Sequence, residues 1–113
     1  MGASSFLLLG KGMRNSLCSA CHGAGRQIAR RAAMRMPDEE LDEFLKEFRV
    51  VTPVNPKRHD VSMRPEIVKK WRQQLKQEAP ATYKPITPVV ETLEAAGIAS
   101  PVAELFPLMT VKS

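Results

Sequence analysis

The side chains best suited to chemistry lie together in Cys18-Ser19-Ala20-Cys21-His22-Gly23-Ala24-Gly25-Arg26. Two thiols beside an imidazole admit three mechanisms. The first is covalent haem attachment: in Cys-x-x-Cys-His the thiols bond the vinyl groups and the histidine ligates iron. Met63 or Met109 would then be the second axial ligand. A cytochrome wants aromatic packing, however, and aromatic residues are 5% of the chain. The second mechanism is half of a zinc site. Structural zinc takes four ligands, and with His59 as the remaining candidate the set is one short. The third treats the thiols as packing and His22 as the reactive group. Small residues after a histidine let a phosphate approach the backbone. A helix starting at Ala24 or Gly25 would offer free N–H groups to it. Arg26 and Arg30, one turn apart, would add donors. A neutral imidazole could then attack a nucleotide phosphorus. Spacing alone favours a capped helix beside a core histidine over this nucleophile.

The elements that must position this stretch follow from periodicity. Residues 4–9 read as a short buried strand ended by Gly10 and Gly12, and residues 10–25 as irregular. A helix is expected from about 24 to 34, with Ile28, Ala29, Ala32 and Ala33 on its apolar side. Pro37 suits a first helical position, with Asp38, Glu39 and Glu40 at the positive dipole end. Leu41, Phe44, Leu45 and Phe48 continue at helical spacing. Val50-Val51 reads as a strand, and 53–64 as a loop. A helix over 65–78 puts Ile67, Val68, Trp71 and Leu75 on one face and Lys69, Lys70, Arg72 and Lys76 on the other. Thr87-Pro88 opens a last helix as N-cap and first residue, Gly97 stops it, and 102–112 reads as extended. The expectation is an α+β fold: a helix-rich fragment with about three short strands. An apolar strand such as Phe6-Leu7-Leu8-Leu9 wants neighbours on both edges, which suggests a piece of a larger sheet.

With 113 residues the chain allows one small domain, and 43% hydrophobic content suffices for an aliphatic core. The net charge of +5 favours an anionic partner such as RNA or a nucleotide, though it equally aids solubility. Any nucleic-acid contact should be electrostatic, because aromatic side chains for base stacking are scarce. Two cysteines are too few for a disulfide framework. The apolar run Phe6–Leu9 is too short for a signal-peptide core, and no transmembrane span is expected, so the expected location is cytoplasmic.

Beside this reading, the chain resembles the RtcB family of RNA ligases, motif by motif. The family's guanylation motif, Cys-His-Gly-Ala-Gly-Arg with basic residues after it, matches Cys21-His22-Gly23-Ala24-Gly25-Arg26 followed by Arg30 and Arg31. A Met-Gly-x-x-Ser-aromatic segment matches Met1-Gly2-Ala3-Ser4-Ser5-Phe6. Glu-Ala-Pro-x-x-Tyr-Lys before a helix matches Glu78-Ala79-Pro80-Ala81-Thr82-Tyr83-Lys84. The proline-containing end matches Pro107 to Lys112, with Ser113 where the family has glycine. Four segments in register cover essentially the whole chain. The resemblance implies a truncated C-terminal segment of an RtcB-like domain, residues 1–113, with residues 54–75 as an insertion. By the same resemblance His22 takes GMP from GTP, and Ser5, Gly23, Ala24, Gly25 and Lys112 contact the nucleotide. Arg26 and Arg30 contact RNA phosphates. The implied reaction joins an RNA 3′-phosphate or 2′,3′-cyclic phosphate to a 5′-hydroxyl, as in tRNA splicing and RNA repair. It uses manganese, whose ligands belong to an N-terminal half that this chain does not include. The rival readings are a catalytically inactive basic module that binds RNA or a partner, and a small c-type cytochrome.

The cytochrome reading is checked directly. Expression beside a haem-attachment system should yield no haem that stays bound on denaturation; a Soret peak surviving denaturation would establish the rival.

Overall fold

The computed structural model describes residues 1–112, so Ser113 lies outside the described residues. In chain order the elements are β1 (Ser5–Gly10), a 3₁₀ turn (Arg14–Ser16), α1 (Arg30–Ala33), α2 (Asp38–Glu47) and β2 (Arg49–Val51). Then come α3 (His59–Ser62), α4 (Pro65–Lys76), a second 3₁₀ turn (Pro80–Thr82), α5 (Thr87–Ala95), β3 (Ala99–Leu105) and β4 (Met109–Val111). The fold is an α+β mix. The chain forms two compact units. One, here the strand-pair unit, comprises Ala3–Arg26 and Tyr83–Pro107. The other, the helical unit, comprises Met1–Gly2, Gln27–Thr82 and the segment from Leu108.

In the strand-pair unit the aliphatic run of β1 pairs antiparallel with β3, from Ser5 opposite Leu105 to Gly10 opposite Ala99. The register slips between Leu7 and Leu8, where Pro101 stands opposite Leu8. Proline cannot donate to a ladder, so it is tolerated at such an irregularity. α5 packs on β3 and buries Val90 and Leu93, and Ala99 is also buried. α5 ends in a two-bond cap: the Gly97 N–H donates to Glu94 O (2.9 Å) and the Ile98 N–H to Leu93 O (3.0 Å). Gly97 supplies the left-handed residue, φ 69°, that this cap requires. The Lys11 N–H then bonds Ile98 O at 2.9 Å, tying the end of β1 to the start of β3.

In the helical unit Leu41 of α2 and Leu75 of α4 are almost fully buried. Each contributes roughly 1.5–3 kcal/mol of apolar burial. β2 and β4 form a short parallel pair, Arg49 opposite Met109 through Val51 opposite Val111. The Trp71 Nε1–H donates to Thr52 Oγ1 at 2.9 Å, so the one indole of the chain has a partner for its polar edge. Polar groups join α2 to α4. Arg72 Nε lies 3.1 Å from Asp38 Oδ2, and Nη2 lies 2.6 Å from Asp42 Oδ1. The buried Lys76 ammonium donates to Met36 O and pairs with Asp38.

Four expectations need correction. The helix expected over 24–34 is the single turn Arg30–Ala33. Gly25 has φ +72°, in the left-handed region, and Arg26 forms an antiparallel bridge with Tyr83 instead of a helical turn. Lys84 N–H completes that bridge by donating to Gly25 O at 3.1 Å. Second, the tail expected as one extended segment over 102–112 divides into β3 and β4, the first of which already starts at Ala99. Third, the strand expected to be buried exposes Leu7 and Leu9; among the described residues its ladder partner is β3. Last, Ile86 caps α5 and Thr87 is its first residue, while Pro37 caps α2 from outside.

Hydrogen bonds from Lys76, then from Arg72, hold the Asp38 carboxyl below the usual carboxylate range. Its stabilisation is therefore complete above about pH 4 and is lost as pH falls through the lowered value. Asp38→Asn should cost about 1–2 kcal/mol at neutral pH, less than for a fully buried pair because the carboxylate is half exposed. It should also flatten the acid limb of stability, as urea unfolding at neutral and acid pH would show. An unchanged midpoint at neutral pH would contradict this. Gly25→Ala should cost about 1–2 kcal/mol through backbone strain alone, because nothing lies within 4 Å of the added Cβ. Gly23 also faces open space but has no positive φ, so Gly23→Ala should shift stability by no more than about 0.5 kcal/mol.

Candidate functional site around His22

The irregular segment between β1 and the Arg26 bridge is shaped by local hydrogen bonds. The 3₁₀ turn at Arg14–Ser16 ends on Leu17, whose N–H donates to Arg14 O at 2.9 Å. The Cys18 N–H donates to Met13 O at 2.9 Å. Further on, Cys21 Sγ donates to Gly23 O at 2.9 Å, closing a turn that spans His22. Both thiols are free and exposed.

This turn borders a cavity of about 360 Å³ within the strand-pair unit. Phe6 and Leu8 of β1 and Val89, Val90 and Leu93 of α5 give it apolar walls. Ser5, Cys21 and His22 bring the polar groups, with Gly23 beside them. A mostly apolar concavity with a few convergent polar groups is the usual form of a small-molecule site. His22 is exposed while lining the cavity, so its imidazole is accessible.

Of the residues expected at the site, Ser5, His22 and Gly23 thus share one cavity. Ala24 follows them, half-buried. Gly25 makes the left-handed turn described above. Arg26 lies across Tyr83, its guanidinium carbon 4.9 Å from the ring centroid, and Nη1 donates to Tyr83 Oη at 3.1 Å. Arg30 and Lys112 belong to the helical unit. Arg30 opens α1 and is exposed, so it does not share a helix with Arg26. The expected phosphate cradle at a helix start near Ala24 is absent for the same reason. Lys112 is fixed through its N–H on Val51 O at 2.8 Å, and its Nζ lies 3.9 Å from Glu78 Oε1. With Thr52, Trp71 and Glu78 it lines a cavity of about 270 Å³.

The sequence pattern assigns Tyr83 no task. Its place in Glu78-Ala79-Pro80-Ala81-Thr82-Tyr83-Lys84 was visible, but its pairing with Arg26 depends on a bridge between distant residues. The basic face expected on α4 is also reduced. Arg72 and Lys76 are consumed by Asp38, Asp42 and Met36 O, leaving Lys69 and Lys70 exposed.

Among the described residues no three His, Cys, Asp or Glu side chains come together as a metal-binding group. Cys18 and Cys21 are soft donors, whereas manganese prefers oxygen and imidazole. The residues present therefore do not fit a manganese site. Among the described residues no helix is long and apolar enough to cross a membrane.

Comparison with known proteins accounts for the chain as a whole. The family described as tRNA-splicing ligase RtcB matches residues 1–113. RNA-splicing ligase RtcB homolog 1 of Entamoeba dispar is 35% identical over 99% of this chain and 19% of its own length. The homolog 1 of Entamoeba histolytica is likewise 35% identical over the same shares. Homolog 2 of Entamoeba dispar is 34% identical, again over 99% of this chain and 19% of its own. The chain thus spans about a fifth of the length of these relatives. With the family match running from residue 1 to residue 113 and these relatives aligned over 99% of the chain, this chain belongs to the RtcB family.

Proposed function

We propose that this chain is the nucleotidyl-acceptor segment of a cytoplasmic, GTP-dependent RNA ligase. The observation that carries the reading is His22, exposed on the wall of a cavity it shares with Ser5 and Gly23. A neutral imidazole nitrogen attacks the α-phosphorus of GTP; the N–P bond forms as the bond to pyrophosphate breaks. The GMP passes to an RNA 3′-phosphate, generated where necessary from a 2′,3′-cyclic end. The RNA 5′-hydroxyl then displaces GMP and seals the strand.

The chain's own residues contribute position and charge. Ser5 offers a hydroxyl, and the open side of Gly23 lets a phosphate come close to the backbone. Ala24 and Gly25 join them as nucleotide contacts by family similarity, and the same similarity assigns Lys112 of the helical unit a nucleotide contact. Arg26, held against Tyr83, and Arg30 serve RNA phosphates. No step is assigned to manganese, because its ligands do not occur among the described residues; a separate N-terminal half would carry them. What supports this reading over an inactive basic module is that His22 lines a concave site.

The purified chain alone, given GTP, manganese and a 3′-phosphate/5′-hydroxyl RNA pair, should join nothing. Adding a matching N-terminal half should restore joining, and His22→Ala should abolish it. Joining by the isolated chain that vanishes with His22→Ala would show a complete site in this segment. Joining that survives the substitution would remove His22 from the reaction.

A further inference from the structure

Catalysis as proposed uses His22 but leaves Cys18-x-x-Cys21 without a task. Both thiols are free and exposed. Leu17 and Cys18, at φ 55° and 54°, are the non-glycine residues with positive φ among the described residues. Strain of this kind persists only where the surroundings impose it, and it concentrates at switch regions. The amide bonds from Leu17 and Cys18 impose it here, together with Cys18 Sγ on Gly12 O at 3.6 Å. Cys21 Sγ is held differently, on Gly23 O, across His22. Among the described residues no third ligand completes a metal set with the pair, and the chemistry considered for it is that of thiols.

We propose that Cys18 and Cys21 form a reversible dithiol/disulfide pair whose oxidation dismantles the turn that presents His22. The consequence for catalysis rests on the reading of His22 given above. Cα atoms three residues apart are separated by no more than about 11 Å, and a disulfide needs roughly 4.4–6.8 Å. Closure therefore requires rearrangement only within a short, strained loop.

The oxidant is a hydroperoxide. One thiolate attacks a peroxide oxygen, breaking the O–O bond; the sulfur becomes a sulfenic acid, and the departing oxygen takes a proton. The second thiol attacks that sulfur, the S–S bond forms, and the hydroxyl leaves as water with the second proton. Two protons and two electrons pass from the thiols to the peroxide. The Gly23 carbonyl then loses its thiol donor and Gly12 O loses Cys18. The bond that closes the turn around His22 is gone.

The test treats the full chain with hydrogen peroxide and maps tryptic peptides without reduction. The peptide spanning 15–26 should lose two hydrogens in mass and regain them with dithiothreitol. In Cys18→Ser it should not. In parallel, the rate at which diethyl pyrocarbonate modifies His22 should change by about threefold or more on oxidation, as expected when a loop exchanges its local hydrogen bonds. That rate should stay constant in peroxide-treated Cys18→Ser. Disulfides only between chains, or separate oxidation of each cysteine, would overturn the pairing. An internal disulfide with unchanged His22 reactivity would overturn the control of His22. Neither readout involves nucleotide or RNA, so a failure of the ligase reading is told apart from a failure of this one.

Discussion

The His22 site depends on the pairing of β1 with β3. Phe6 and Leu8 become cavity walls because β3 fixes the strand that carries them, and α5 packs on β3 to present Val89, Val90 and Leu93. The strands are distant in sequence, so the ladder forms only after a long loop has closed. A two-stranded sheet is marginal alone. Here the helix on one face and the Gly97 cap at its end add the burial that the ladder lacks. The opposite face remains apolar and exposed at Leu7 and Leu9.

Between the two strands the chain turns by small local means. Glycine at position 25 permits a left-handed residue, and the bridge of Arg26 to Tyr83 closes the far side. Cys21, by reaching Gly23 O, brings His22 to the cavity edge without placing it on a regular element. A histidine carried by such a turn can approach a ligand and recede from it more readily than one on a strand. The helical unit solves a different problem. A nearly buried lysine is tolerated there because Asp38 and Met36 O accept its protons, and Asp38 also serves Arg72.

Much of this was legible in the residues. The spacing of Ile67, Val68, Trp71 and Leu75 located α4, the aliphatic run located β1, and Gly97 marked the end of α5. The motif around His22 was legible as a family resemblance. What could not be read were features decided by distant partners. Residues 24–29 have the composition of a helix start, yet Tyr83, 57 residues from Arg26, draws them into a bridge. Arg72 and Lys76 read as a free basic face until Asp38 and Asp42 of α2 are brought beside them. The tail's division into β3 and β4 depends on β1 and β2, which pair with it in opposite senses. Local pattern carried the elements; tertiary contacts decided which charges and turns remained available.

The central claim is that His22 is the atom-bearing acceptor of the nucleotide. It is tested most directly by incubating the chain and a matching N-terminal half with GTP and manganese, then locating the adduct by peptide mass spectrometry under conditions that preserve phosphoramidates. The account predicts GMP on His22 and none in His22→Ala. GMP on another residue, or adduct undiminished in His22→Ala, would contradict it.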